Sequence, residues 1–147
     1  MLRIDNLAVS YGGLHALSDV SLSVGTGQFV AIVGPNGAGK STLFKAISGT
    51  VPLDAGAILF EGQDLATVLA ADRAALGIAH VPEGRQVFKS MTVLENLEMG
   101  AQSRAARREW PRSRDLIFGL FPQLASRQKQ YAGTLSGGEQ QMVAIGR

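Results

Sequence analysis

Two glycine-rich stretches hold the residues best suited to chemistry: Gly34-Pro35-Asn36-Gly37-Ala38-Gly39-Lys40-Ser41 and Leu135-Ser136-Gly137-Gly138-Glu139-Gln140-Gln141. The first matches G-x-x-x-x-G-K-[ST] in full, the pattern of a phosphate-binding loop. Its glycines let successive backbone N–H groups converge on one anion, and a helix beginning there adds its positive end. Lys40 is expected to reach the β- and γ-phosphates and the Ser41 hydroxyl to ligate magnesium, with Thr42 adding a contact to an α- or β-phosphate. Such a loop alone leaves kinases, GTPases and ATPases open. In the second stretch, Ser136 with Gly137 and Gly138 opens an amphipathic helix running through Glu139, Gln140 and Ile145, which makes a second anion-binding N-terminus. One chain rarely folds two such surfaces onto one nucleotide, whereas a head-to-tail pair of chains sets each loop opposite its partner's second motif.

The flanking elements suit these roles. Leu2 to Ser10 and Leu17 to Val24 alternate imperfectly between apolar and polar residues, with Gly12-Gly13 and Gly25-Thr26-Gly27 as turns, so they read as an antiparallel edge. Phe29 to Val33 is a continuous apolar run and reads as a strand buried on both faces, feeding the phosphate loop. Ser41 to Ser48 is expected to be helical, Ala57 to Phe60 a short strand, Ala66 to Leu76 helical, and Ile78 to Val81 a core strand stopped by Pro82. Thr92-Val93-Leu94-Glu95 has the form of a capping box, and the Ala-, Arg-, Leu- and Glu-rich residues to about Phe121 read as helix. Arg104, Arg107, Arg108, Arg112 and Arg114 surround Trp110, a cluster able to meet phosphates or an acidic partner; we read it as a solvated face with one anchored Trp. His15 and His80 lack any spacing for metal or acid–base work and read as structural, His80 within the Ile78–Val81 strand.

Composition bounds the remaining classes. At 147 residues, 46% hydrophobic and 18% charged, the chain can bury a core but is short for two ordinary domains. A net charge of +2 is too small a footprint for nucleic acid. With no cysteine, disulfides and thiolate metal sites are excluded. No apolar stretch approaches the ~20 residues that span a bilayer, and the N-terminal residues lack a signal-peptide core, so a cytoplasmic protein is expected.

Taken together, the phosphate loop, Leu-Ser-Gly-Gly-Glu-Gln-Gln and the aromatic Tyr11 resemble the ATP-binding subunits of ABC transporters over the whole chain. The resemblance implies an α/β P-loop NTPase of ABC type: a mixed sheet with antiparallel edge strands and an inserted helical subdomain. Residues 1–91 correspond to the ATP-binding core, 92–134 to the helical subdomain and 135–147 to the signature motif and the start of its helix. It implies ATP and Mg2+ as ligands, Tyr11 stacking on adenine, and Ser136, Gly137, Gly138, Glu139 and Gln140 facing a partner's ATP. The segment Val81-Pro82-Glu83-Gly84-Arg85-Gln86-Val87-Phe88, with Met91-Thr92-Val93-Leu94-Glu95-Asn96-Leu97, is similar to one ATPase subunit of branched-chain amino-acid importers. There Glu83 stands where most relatives carry a magnesium-contacting glutamine that couples to the membrane subunits. The implied partners are permease subunits and a second ATP-binding subunit, in a homo- or heterodimer peripheral on the inner face of the cell membrane, with no nucleic acid.

Relatives continue past Ile145-Gly146-Arg147 into an apolar strand ending in Asp-Glu, the Walker B element, and then a loop with a histidine. The magnesium-holding Asp, the water-polarising Glu and the γ-phosphate-contacting His therefore have no counterpart in these 147 residues. The expectation is an incomplete site, a core left partly uncovered and a poorly stable piece. The alternative reading is a non-catalytic nucleotide- or partner-binding module.

Overall fold

β1 (Leu2–Tyr11) and β2 (Leu14–Val24) fold back on each other about Gly12 and Gly13, in antiparallel register from Leu2 opposite Val24 to Tyr11 opposite Leu14. The imperfect alternation in the sequence has a local cause, a bulge at Asn6. Asn6 takes a left-handed φ of 47°, its N–H donates to Ser21 Oγ at 2.8 Å, and its side chain bonds Asp19. The extra residue shifts the inward face by one, so that Ile4, Leu7 and Val9 all point into the core. The computed structural model describes residues 2–147, which divide into two compact units at His80/Val81.

In the first unit the sheet order is β2-β1-β3-β4, antiparallel throughout, with β3 at Ala55–Phe60 and the short β4 at Gln63–Asp64. β3 passes so close to the bulge that a Cβ on Gly56 would lie 2.5 Å from the carbonyl oxygens of Asp5 and Asn6. One face of the sheet buries Ile4, Leu7, Val9, Leu17 and Ile58 in a cluster with Leu65 and with Leu43 and Ala46 of α1 (Lys40–Ser48). A nine-residue helix is marginal in water, so α1 depends on this packing, in which burying Leu43 alone contributes about 1.5–3 kcal/mol.

Two expected strands do not form. Residues 29–33 run irregularly, with Phe29 94% and Val33 88% exposed, and residues 78–81 are likewise outside any strand. A strand persists only where a neighbour satisfies its ladder, and among the described residues nothing pairs with either segment. The sheet is therefore antiparallel where a mixed one was expected, and His80 is exposed and not a core residue. Ala66 to Leu76 is also corrected, to two 3-10 segments, Leu65–Thr67 and Ala70–Leu76. Asp64 caps the first, accepting from Ala66 N at 2.9 Å.

The second unit is helical: α2 (Val93–Glu98), α3 (Arg104–Leu120), α4 (Pro122–Ala125) and α5 (Gly137–Gly146), around Val93, Leu97, Leu124, Ala132, Leu135 and Val143. The Thr92 capping box forms as expected, the hydroxyl accepting from Glu95 N and Glu95 Oε2 accepting from Thr92 N at 2.7 Å. Trp110, Ile117 and Phe118 of α3 pack on the core; of the five arginines expected on a solvated face, Arg104, Arg107, Arg108 and Arg112 are exposed, while Arg114 is half-buried and donates to Asp115 at 2.9 Å. A short ladder joins residues 89–94 to 128–133 through Val93 N to Gln130 O (2.9 Å), Leu94 N to Gln128 O (3.0 Å), Ala132 N to Met91 O (2.9 Å) and Gly133 N to Lys89 O (3.1 Å).

Candidate functional site

The loop at 34–41 leads into α1 with Gly39 as its N-cap residue. Gly39 has φ 85°, and a Cβ there would lie 2.6 Å from both Ala16 O and Leu17 Cδ2 of β2, so both backbone and packing require glycine. Ala38 N donates to Pro35 O at 3.3 Å and closes the turn, and Leu43 N to Gly39 O at 2.9 Å begins the helix. The first-turn N–H groups of Lys40, Ser41 and Thr42 have no acceptor among the described residues, and the turn carries no acidic side chain. Lys40 Nζ donates to the carbonyls of Gly34 and Pro35, each at 2.8 Å, which holds the ammonium over the loop. Amide donors, a positive helix end and a fixed cation thus meet at one loop, an arrangement suited to an anion. Ser41 is exposed and its hydroxyl makes no hydrogen bond among the described residues, so it is free to serve as an oxygen ligand for a hard cation.

The far end of α1 shows a residue that sequence reasoning missed. Arg73 is 8% exposed, and its guanidinium donates to Ala46 O (2.9 Å), Ile47 O (2.7 Å), Leu65 O (2.7 Å) and, at greater length, Val68 O (3.4 Å). Burial pulls its pKa below the ordinary arginine range, yet a guanidinium remains charged. A cation at the helix C-terminus opposes the dipole, and it packs so tightly that a Cβ on Gly49 would lie 2.7 Å from Arg73 Cζ. The sequence signal was slight: one arginine in an alanine-rich stretch ahead of Gly77. Tyr11 ends β1 in the same unit, 45% exposed, and His15 pairs with Ser10 across the hairpin, Nδ1 to Oγ 3.0 Å.

In the second unit Ser136 caps α5 as expected, its Oγ accepting from Glu139 N at 3.3 Å. Glu139 Oε2 accepts from Ser136 N at 2.8 Å and Oε1 lies 3.3 Å from Arg127 Nε, while Gln140 Nε2 donates to Ala132 O (3.2 Å) and Leu135 O (3.1 Å). These two side chains are thus turned to the segment before the helix. The Ser136 hydrogen bonds, side-chain contact first, hold the Glu139 carboxyl below its ordinary range, with the Arg127 charge adding to them. Gly137 N and Gly138 N keep free first-turn donors among the described residues, and the space beside Gly138 is open.

Glu83 is exposed in a turn with Gly84, followed by Arg85 and Gln86 at φ 65° and 44°. Asn96, also missed from the sequence, is fully buried and fastens the far end of this loop. Its Oδ1 accepts from Phe88 N at 2.8 Å, and its Nδ2 donates to Phe88 O (2.9 Å), Met91 O (3.3 Å) and Thr92 O (2.9 Å).

Comparison with known proteins matches residues 17–147 to the family described as ABC transporter. The chain is 44% identical over 147 residues to the "High-affinity branched-chain amino acid transport ATP-binding protein BraG" of Pseudomonas aeruginosa, covering all of this chain and 63% of that one. It is 39% identical to the "Probable branched-chain amino acid transport ATP-binding protein LivF" of Archaeoglobus fulgidus, covering 99% of this chain and 61% of that one. Among solved structures, the dimeric post-hydrolysis state of an ATP-binding cassette bound to ADP and Pi superposes with TM-score 0.80 at 25% identity, covering 99% of this chain and 68% of that one. The chain thus spans about three fifths of the length of the curated relatives it matches.

Proposed function

The chain belongs to the ABC transporter family, and from that premise we propose that it is the nucleotide-binding part of an ATPase subunit that drives import of branched-chain amino acids. The observation that carries this reading is the Lys40 ammonium, held at 2.8 Å from two loop carbonyls above the free N–H groups that open α1. In this reading Gly34, Pro35, Asn36, Gly37, Ala38 and Gly39 wrap the phosphates with backbone amides. Lys40 exchanges its carbonyl partners for β- and γ-phosphate oxygens, Thr42 adds a contact, and Tyr11 stacks on adenine. Ser41 would hold magnesium, and the ion would neutralise phosphate charge. Ser136, Gly137 and Gly138 would face the ATP of a second subunit packed head to tail, with Glu139 and Gln140 keeping that surface in shape from behind. The dimeric, ADP-bound structural relative supports the pairing, and the names of the relatives support the cargo. Permease subunits in the membrane are the remaining partners, with the protein peripheral on the inner face. None of the helices among the described residues is long and apolar enough to cross a membrane itself.

The test is equilibrium binding of a fluorescent ATP analogue to the protein and to Lys40→Ala. Losing a charge-assisted contact to phosphate is expected to weaken binding about tenfold to a hundredfold. Equal affinity in the two proteins would overturn the reading. The cargo is tested by leucine uptake in cells that carry Lys40→Ala in the intact subunit, where uptake is expected to fall to background.

A further inference from the structure

α3 carries a row of side chains that the nucleotide reading leaves without a task. Arg104, Arg108, Arg112, Leu116 and Leu120 stand four residues apart, so they form one crest along the helix, about 24 Å long at the usual helical rise. The side of α3 that bears Trp110, Ile117 and Phe118 packs on the core, and the crest faces away from it. All five crest residues are exposed, Leu116 at 63% and Leu120 at 64%. Their neighbours Ala105, Glu109, Ser113 and Gly119 are exposed too, which makes the face broad and convex. The three crest arginines make no hydrogen bond or ion pair among the described residues: Asp115 is taken by Arg114 at 2.9 Å, and Glu109 pairs with none of them. This placement works against the helix. Cations in its first turns oppose the positive end of the dipole, no acidic side chain in the first turn offsets them, and like charges four residues apart repel. The two leucines leave apolar surface in water at the other end of the same row. A row that helix electrostatics disfavours, and that nothing in the chain neutralises, points to a compensating anionic surface outside it.

We propose that the α3 crest docks on an anionic lipid surface, with Arg104, Arg108 and Arg112 at the headgroup phosphates and Leu116 and Leu120 in the apolar boundary beneath them. Charge complementarity selects the occupant: a negatively charged leaflet attracts each arginine and relieves the repulsion within the row. The arginine stems lie at the level of the leucines while their heads stay among the headgroups. A convex face whose neighbours are all exposed meets a plane without obstruction, whereas a protein partner would have to wrap it in a groove of matching depth. Arg107, exposed beside the crest with its side chain bonded only to Gln102 Oε1 at 3.3 Å, adds a fourth charge. The row is held in register from its first residue, because Ser103 Oγ accepts from Ala106 N at 3.1 Å and caps the helix. Two leucines and a few arginines make a shallow, reversible contact, one that adds to the hold of the permease subunits and depends on lipid charge and on salt. The inference rests on the membrane position in the reading above and on nothing at the nucleotide site, since α3 holds none of the residues assigned to ATP.

The experiment measures cosedimentation of the intact subunit, without permease, with vesicles of phosphatidylcholine alone and of phosphatidylcholine mixed with phosphatidylglycerol. The unaltered protein is expected to bind the anionic vesicles, to ignore the neutral ones and to be released by high salt. The triple variant Arg104→Gln, Arg108→Gln, Arg112→Gln is expected to bind about a hundredfold more weakly, at about fivefold for each charge. Leu116→Ser with Leu120→Ser is expected to bind about tenfold more weakly, and the control Arg3→Gln, on β1, to match the unaltered protein. Arg104→Lys, Arg108→Lys, Arg112→Lys together are expected to keep most of the binding, because a lipid surface is sensed through charge. The glutamine variant should also keep its affinity for the ATP analogue and hold or raise its urea midpoint, since it relieves repulsion within α3; a merely structural role for the arginines would lower that midpoint. Equal binding of the glutamine variant and the unaltered protein to anionic vesicles overturns the docking, as does an unaltered protein that sediments alike with both vesicles or with neither. A lysine variant as weak as the glutamine variant overturns the lipid in favour of an acidic protein groove that needs the guanidinium fork. A subunit that binds anionic vesicles and no ATP analogue overturns the nucleotide reading and leaves this one standing.

Discussion

Replacing Arg73 by methionine keeps most of the buried stem and removes the guanidinium, so it isolates what that group does for the phosphate loop. A naive sum over the three short bonds, at about 1.5–3 kcal/mol each for a charged donor, would rival the whole stability of many domains. The structure reduces it. Ala46 O also accepts from Gly49 N at 3.0 Å, and Leu65 O from Val68 N at 3.1 Å, so each keeps a partner when the guanidinium goes. Ile47 O has no other donor among the described residues and would bear the full penalty of an orphaned carbonyl, about 1–3 kcal/mol. Loss of a cation at the buried end of the α1 dipole adds up to about 2 kcal/mol. The expected destabilisation is therefore about 1–5 kcal/mol, read as a lower urea midpoint at unchanged slope. Arg73→Lys keeps the charge without the fork and is expected to recover about half. Nucleotide affinity should fall as well, because α1 presents the loop. A loss below about 1 kcal/mol for Arg73→Met would refute the reasoning, since it would mean that water replaces the guanidinium at no cost.

Gly39→Ala is expected to abolish binding of the ATP analogue while far-ultraviolet circular dichroism stays close to the parent's, because the new Cβ meets β2 at 2.6 Å and can be relieved only by moving the loop. Asn96→Leu, which orphans Phe88 N–H, should cost about 2–3 kcal/mol in urea unfolding and speed proteolysis of the Glu83–Ser90 loop. Glu95 and Glu139 both titrate below the ordinary 4.5, Glu95 mainly through the Thr92 backbone bond and Glu139 mainly through the Ser136 side chain. A carboxyl whose folded pKa is depressed stabilises the fold fully above its unfolded value and loses that contribution as pH falls through the folded one. Thermal unfolding from pH 7 to 3 should thus show a decline that begins near pH 4.5 and is smaller in the Glu95→Gln, Glu139→Gln double variant.

Local rules made several elements legible in advance. Thr92 and Ser136 cap their helices because a short hydroxyl followed three residues later by glutamate closes both ends of the box within four residues, with no help from distant chain. The phosphate loop was legible for the same reason, as glycine spacing and a following helix are local properties. Phe29 to Val33 misled because an apolar run states only that a segment suits burial and does not say what covers it. The 3-10 form of Ala70–Leu76 was not legible, and neither was the reach of Arg73 within it to four carbonyls of other segments, a contact set invisible to composition.

The sequence alone determined the chemistry of this protein: which residues carry charge, which backbone positions can bend around an anion, and which hydroxyls can cap a helix. These depend on residue type and on separations of a few positions. The tertiary structure alone decided that Arg73 braces α1 and that Asn96 fastens the Glu83 loop. Each of these joins groups far apart in the chain, and their pairing follows from the packing of the two cores around them.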